Sequence, residues 1–558
     1  MNHKLRYSKL ILILSMLFLP IQSFTNIQAI QSQSSIGQDL LRGTSRNDGI
    51  TESDTQNYME VFSENGSITR VQVPLEVATM AKPLAVFPEA EVITLNYTGT
   101  NDNRLDIVFI GDGYTSSDIE TYTQHVQAKW AEVISLEPFA TYKNYINAYQ
   151  VNVISPESGV DNDPLGTIRD TALDMSFWCG GIDRLLCVDV AKAWQYASNA
   201  PGVDQIIVLA DSTHYGGGGY TGLDIATASG GHFFSGQIVL HELGHSMGDL
   251  ADEYVYEPGS YYTGGEPFER NMSIYARPEM ESLQAKWYRW LGEPSPDGGE
   301  VDTFEGAALG SFGIYRPTIE SLMRVLGKPF NLPSREGMVL ALYQSIYPID
   351  DSTPTDAILN GTETVYVSPL RPIGHMLEIT WSINGQILLT SQDQETLDLE
   401  NVIWECRESH LLSAKVVDNT SFVRDPSSRD QYLTGIRTWT VQPIQKVQIE
   451  IKPGEYPNSV NIDGHGVIPV AVIGSVNFDV TQIDAKTLRF EGLTVKNNGR
   501  GVPMCSLRNL NGDEYNDFVC QFADDLSKWT GDGEIASVTG NLYCGTKFSG
   551  NDSIKLVP

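Results

Sequence analysis

The chain has 558 residues, too many for one ordinary hydrophobic core, and its 41% apolar content is that of globular protein, so about three domains are expected. A formal net charge of −33 argues against nucleic acid or anionic membrane surfaces as partners, since both are polyanions. Beyond the N-terminus no stretch is apolar for the ~20 residues a bilayer span requires.

The first residues read as an export signal. Lys4, Arg6 and Lys9 make a basic start, an apolar run follows over 10–20, and Ala29 is a small residue at the expected cut. Residues 1–29 are therefore expected to be a signal peptide and the protein to be secreted. Residues 30–57, rich in Gln, Ser, Thr, Asp and Asn, read as a flexible leader. Residues 58–102 hold short alternating runs, at 67–73 and 92–97, and read as a short β segment.

From 103 to 350 the pattern alternates between strands and helices. Apolar runs at 105–110, 148–154 and 205–210 read as buried strands. Residues 116–135, 189–197 and 336–345 read as helices, which together predict a mixed sheet flanked by helices. The glycine stretch 214–220 lacks the Gly-Lys-Ser/Thr ending of a phosphate cradle. It reads as a wide turn, or as a place where backbone approaches a substrate. Beyond 350 the runs are of β type only. Residues 351–445 predict an immunoglobulin-like β-sandwich, and 446–558 a second, separate β-sandwich.

Six cysteines in an exported chain are expected to be oxidised. Cys179 and Cys187 would close a small loop, and Cys505–Cys520 is the favoured second pair. Cys406 and Cys544 carry no assignment. The absence of Cys-x-x-Cys argues against a thiolate zinc site.

Residues 241–254 carry the chemistry. His241 and His245 are four apart, so on a helix both imidazoles leave from one face, the spacing that holds one zinc ion. Glu242 between them is placed to take a proton from a metal-bound water. Ile238, Val239, Leu240, Leu243 and Met247 give the helix a burying face, Ser235 would cap its start and Gly248 would end it. Asp252 or Glu253 would then return as the third ligand, leaving the fourth position for water. The common metzincin spacing falls on Ala251, which cannot bind metal. Met323, in 321–324, fits the Met turn that metzincins place beneath the metal.

These residues resemble the immunoglobulin A peptidase family of bacterial metallopeptidases. The likeness rests on 106–115, on Glu137-Pro-Phe139, on 155–161, on Tyr215-Gly-Gly217, on 241–254 and on 315–324, in that order along the chain. It implies a zinc endopeptidase over about 100–350, so that the whole chain is expected to be an α/β, metzincin-like catalytic domain followed by the two all-β sandwich domains read above. It implies His241, His245 and a following Asp, hence Asp252, as zinc ligands and Glu242 as acid/base. Tyr254, Tyr256 and Tyr215 are candidate donors to the oxyanion, among which the sequence does not choose. Asp106, Asp112 and Asp161 would shape turns or hold a structural calcium.

A second metal motif lies near the C-terminus. Asn509, Asn511, Asp513 and Asp517, with the Tyr515 carbonyl, match alternate positions of an EF-hand-type calcium loop. Glu514 stands where that loop has Gly, and no Glu occupies the twelfth position. The cofactors implied are Zn2+ and, through this loop, Ca2+. The partner implied is a protein or peptide substrate, with no membrane span once the signal is removed. The β domains could meet an extracellular matrix or cell-surface ligand. The competing expectation is an adhesion or matrix-binding protein whose peptidase-like domain is secondary. Glu242 weighs against it, because binding alone does not need that carboxylate.

Overall fold

The computed structural model describes residues 58–62, 67–72, 89–220, 223–461, 464–530 and 534–557. The expected signal peptide and leader lie outside the described residues. Everything below belongs to the single unit 56–558.

A short antiparallel hairpin comes first, β1 (Tyr58–Phe62) with β2 (Ile68–Gln72). The main sheet has six strands in the order β3-β5-β4-β6-β8-β7. They are β3 (Glu91–Asn96), β4 (Leu105–Asp112), β5 (Ile146–Asn152), β6 (Gln205–Ala210), β7 (Gly217–Tyr220) and β8 (Ile225–Ser229). The central four are parallel; the two edges, β3 and β7, run antiparallel to their neighbours.

All of β4, β5 and β6 is buried, as expected of central parallel strands covered on both faces; β5 nonetheless carries the buried polar residues Asn147, Gln150 and Asn152. Both faces are covered. Ile107, Phe109, Ile207 and Leu209 pack with Tyr122, Val126 and Trp130 of helix α1 (Ile119–Val133) and with Ile238 and Leu243. Their neighbours Val108, Ile110, Ile206 and Val208 point the other way, onto Ala193 and Ala197 of helix α2 (Val190–Ala197).

At the end of β4 the sheet passes into loops through Asp112. Its fully buried carboxylate accepts the Leu173 and Met175 amides and the Ser155 and Thr171 hydroxyls. Burial pushes this carboxyl up, and the four hydrogen bonds oppose the rise. Gly113 follows with φ 76°, and a Cβ there would lie 2.3 Å from the Gly159 carbonyl oxygen, so the turn and the loop at 155–159 can meet only at glycine. The Gly-Asp-Gly stretch is thus the clasp of a long loop.

The helix bearing the two histidines is α3 (Ser235–Ser246), laid against β8 and α1. A bulged hairpin, β9 (Phe304–Ala307) and β10 (Gly310–Arg316), follows. Then comes helix α4 (Leu332–Ser345), whose start is capped by Asn331 accepting the Ser334 amide.

The rest of the described chain is β-rich. A three-stranded sheet, β11-β12-β15, and a four-stranded sheet, β14-β13-β16-β17, share one buried cluster around the stacked pair Trp381 and Trp439. These strands are β11 (Ile349–Ser352), β12 (Thr364–Pro369), β13 (Glu378–Ile383), β14 (Gln386–Ile387), β15 (Thr396–Asp398), β16 (His410–Val417) and β17 (Thr434–Val441). Further on, a five-stranded and a four-stranded sheet share a second cluster that includes Val470, Phe490, Phe522 and Phe548.

Three disulfides join Cys179 to Cys187, Cys505 to Cys520 and Cys406 to Cys544. The second bridges directly opposed residues of neighbouring strands. The third, which spacing could not suggest because 138 residues separate its ends, ties the two β-rich regions together.

Candidate metal centre

The helix α3 begins one residue earlier in its turn than the sequence suggests. Ser235 is its first helical residue and is buried, while Phe234 stands at the cap position without a side-chain cap. Burying that end against the sheet replaces the polar cap the sequence led one to expect. At the other end the chain reverses through Asp249, at φ 49°. Gly248 has another role: a Cβ there would meet Met338 Sδ at 2.3 Å. The reversal carries Leu250 back, where its amide donates to the Gly244 carbonyl over 3.1 Å. The next residues run under the helix.

His241, His245 and Asp252 offer ligand atoms within 4.8 Å of one another and are, among the described residues, the one such group of His, Cys, Asp and Glu. The two Nε2 atoms are 3.0 Å apart, and Asp252 Oδ1 lies 3.2 Å from one and 3.3 Å from the other. His241 Nδ1 faces the Leu322 carbonyl at 3.0 Å and His245 Nδ1 the Leu250 carbonyl at 2.6 Å. A carbonyl only accepts, so in each neutral ring the proton sits on Nδ1 and the Nε2 lone pair turns inward. Asp252 Oδ1 is buried and accepts no hydrogen bond, while its Oδ2 accepts from the Tyr256 hydroxyl at 2.7 Å. With that tautomer both Nε2 atoms and Asp252 Oδ1 face one point, a donor set that a cation can bridge.

Glu253 goes elsewhere. It is fully buried and accepts Asn271 and Asn331 side-chain amides at Oε1 and the Ser321 hydroxyl at Oε2. Burial raises its carboxyl pKa, and these hydrogen bonds and Arg316 oppose the rise. Its backbone amide donates to the Met323 carbonyl at 2.8 Å, and Arg324 donates to its carbonyl. Glu253 thus holds the 321–324 turn, and that turn presents the Leu322 carbonyl to His241. Met323 is buried beneath α3, where a Cβ on Gly244 would come within 2.5 Å of its Sδ. Nothing in the sequence pairs Glu253 with Asn271 and Asn331.

Glu242 points the other way from α3, toward the sheet edge, and is only 4% exposed. Part of the glycine stretch expected as a loop is here the edge strand β7. The lack of side chains is what lets it run so close to the helix: a Cβ on Gly219 would lie 1.5 Å from Glu242 Oε2, and one on Gly217 would lie 2.8 Å from Ile238 Cγ2. Of the three tyrosines, Tyr256 is bonded to Asp252, Tyr254 packs edge-on against Tyr256, and Tyr215 packs on His232.

The second motif forms the loop between the strands Cys505–Arg508 and Asp517–Ala523. Asn509, Asn511 and Asp513 each accept a loop amide, from Gly512, Asp513 and Tyr515. The buried Asp517 accepts the Gly474 and Leu510 amides at its two oxygens. Tyr515 is partly exposed.

Residues 93–298 match the family model described as IgA Peptidase M64, a span that contains His241, Glu242, His245 and Asp252. Among curated proteins, none matches the chain. Solved structures give distant likenesses. A Bacteroides ovatus mixed-linkage glucan utilization locus protein, SGBP-B, is 13% identical at TM-score 0.14, with 38% of this chain and 45% of that one covered. The fibronectin(III)-like modules of Clostridium thermocellum CbhA are 11% identical at TM-score 0.12, with 37% and 93% covered. Mouse cadherin-23 EC22-24 is 12% identical at TM-score 0.12, with 38% and 67% covered. The chain thus spans less than half the length of the first of these. At such scores they carry no argument about fold or function. Through residues 93–298, the chain is thus similar to the peptidases of the IgA Peptidase M64 family.

Proposed function

We propose that the protein is a secreted zinc-dependent endopeptidase acting on extracellular proteins. The observation that carries this reading is the convergence of His241 Nε2, His245 Nε2 and Asp252 Oδ1 at 3.0–3.3 Å, beside a carboxylate at a sheet edge. The separation suits zinc: two ligands at tetrahedral angles and bond lengths of about 2.0–2.1 Å lie about 3.3 Å apart. Two nitrogens and one carboxylate oxygen are a donor set zinc takes in hydrolases.

When bound, the metal would supply a water acidified toward neutrality and Lewis-acid polarisation of the scissile carbonyl. The chain's own residues would do the rest. Leu322 and Leu250 carbonyls fix both imidazoles in one tautomer, and Tyr256 holds the third ligand, the Asp252 carboxylate. Glu242, on the helix face toward β7, would accept the proton of the attacking water and later give it to the leaving amine. The edge strand β7 would align an extended substrate beside that carboxylate by main-chain pairing.

Export follows from the basic, then apolar, start of the chain, and three disulfides suit an oxidising compartment. The sheet that carries α3 supports a metzincin-like peptidase domain. The two pairs of sheets with their own clusters support two β-sandwich domains behind it. The 509–517 loop would add a structural calcium, with a rise of melting temperature on calcium addition as its sign.

Digestion of casein tests the reading. Cleavage should stop with a chelator, return on zinc addition, and be absent with its metal in Asp252→Ala. Cleavage that persists in the metal-free protein would refute it.

A further inference from the structure

The groups assigned to chemistry are under cover. His241 is 0% exposed, Asp252 1% and Glu242 4%, while the His245 side chain keeps 11% exposure. Part of the cover comes from the hairpin that precedes the peptidase sheet. Phe62, the last residue of β1, is fully buried and stands edge-on to the His241 imidazole, with ring centroids 5.4 Å apart and planes at 82°. Ile68, the first residue of β2, is buried in the same cluster as Leu243 and Met323.

The hairpin also touches both walls around this point. On one side, Cα atoms of β1 come within 8 Å of β7. Yet the hairpin remains its own two-stranded sheet and adds nothing to the ladder of the six. On the other side, Ser67 makes an antiparallel bridge to Val325, directly after the turn that holds His241. Gly217, Gly218 and Tyr220 are buried although they form the sheet edge, and residues 184–188 contribute to that cover, pairing with Gly217 and meeting the Tyr220 hydroxyl at Val188. An extended segment that lies along the edge strand, sets an aromatic ring on a ligand imidazole and bridges the opposite wall occupies the space a substrate would need.

Granting the metallopeptidase reading above, we propose that the β1–β2 hairpin is a built-in inhibitor lodged in the substrate cleft, and that activity requires its departure. Among the described residues the hairpin is held by the apolar burial of Phe62 and Ile68 and by the Ser67–Val325 bridge, and it is not paired into the six-stranded sheet. It can therefore leave without dismantling the sheet. The cleft it vacates would accept an extended chain with a large apolar side chain beside the metal.

The test uses the full-length chain with a site-specific protease sequence in place of residues 80–85, folded and then cut. A second full-length chain carries Phe62→Asp. Casein cleavage, hydrogen exchange of β7 and binding of a synthetic peptide of residues 56–74 are measured. Cutting and Phe62→Asp should each raise casein cleavage about tenfold or more, as the loss of one buried aromatic anchor allows. Both should speed exchange in β7 while the cooperative melt is kept. The peptide should bind the cut chain and restore protection, and its Phe62→Ala version should not. Unchanged β7 exchange in both chains, or loss of the cooperative melt in both, would overturn the proposal and make the hairpin an ordinary part of the domain. If exchange and peptide binding respond as stated but no form cleaves casein, the peptidase reading fails and occupancy of the cleft by the hairpin stands.

Discussion

Neighbouring carboxylates at 252 and 253 have opposite fates, and their surroundings set the difference. Asp252 turns its Oδ1 to two imidazole lone pairs, while Glu253 is enclosed by neutral donors from Asn271, Asn331 and Ser321. Asp252→Ala is expected to abolish stoichiometric metal binding, read by metal analysis of the purified protein. Glu253→Gln should keep the metal and instead lower stability by about 1–3 kcal/mol in denaturant melts, because one amide group would then face buried donors. Gly219 is the other decisive position. Gly219→Ala must push either β7 or Glu242 aside, since its Cβ would overlap Oε2, and casein cleavage should fall with metal content unchanged. The pair His241 and His245 with Glu242 was legible in the sequence because helical periodicity alone places them. Which carboxylate follows was not, because the answer depends on a left-handed turn at Asp249 and on side-chain amides 18 and 78 positions beyond Glu253.

Among the elements, α3 is held from below by packing rather than by capping. Its start lacks a side-chain cap, and Gly244 and Gly248 are kept small by Met323 and Met338. Gly244→Ala should cost about 1–3 kcal/mol through overpacking, despite the better helix propensity of Ala. Met323→Ala in the same chain should recover part of that loss, which a double-mutant cycle by chemical denaturation would measure. The buried strands were legible in the sequence; α1 came out shorter than its pattern, while α4 begins earlier than its pattern, at Leu332. The strand β7 was not legible, since Gly-Gly-Gly-Tyr has turn composition. It is a strand because only glycine lets an edge pass so close to Glu242 and Ile238. The 509–517 loop reads from sequence as a calcium site, and Asn509, Asn511 and Asp513 each accept one of the loop's own amides.

Across the whole molecule, the peptidase region and the first β-rich region meet on a buried carboxylate. Asp418, directly after β16, accepts the hydroxyls of Tyr142 and Tyr343 at 2.8 and 2.7 Å and pairs with His375 Nε2 at 2.8 Å. Burial alone would raise the Asp418 pKa, but His375 and the two tyrosines hold it below its usual 3.8. The same hydrogen bond to Asp418 raises His375 above its usual 6.5. The carboxylate's contribution is present above pH 3.8 and lost as pH falls through its lowered folded value. The imidazolium's contribution is complete below pH 6.5 and lost as pH rises through its raised folded value. The melting-temperature gap between wild type and His375→Gln should therefore be widest between those two pH values and shrink in alkaline buffer. No helix among the described residues is long and apolar enough to cross a membrane. Two β-rich regions after an α/β one were legible from the change of periodicity near 350. Their fastening was not, because Cys406–Cys544 and the Asp418 cluster join residues far apart in sequence.

The central claim is that Glu242 moves the proton in a metal-dependent cleavage, and one paired measurement addresses it. Wild type and Glu242→Gln are compared for bound zinc and for casein cleavage under the same conditions. Zinc content should be equal and cleavage lower by about 10²–10⁴-fold in the variant, the usual size of a general-base contribution. A zinc-loaded Glu242→Gln protein that cleaves as fast as wild type would contradict it.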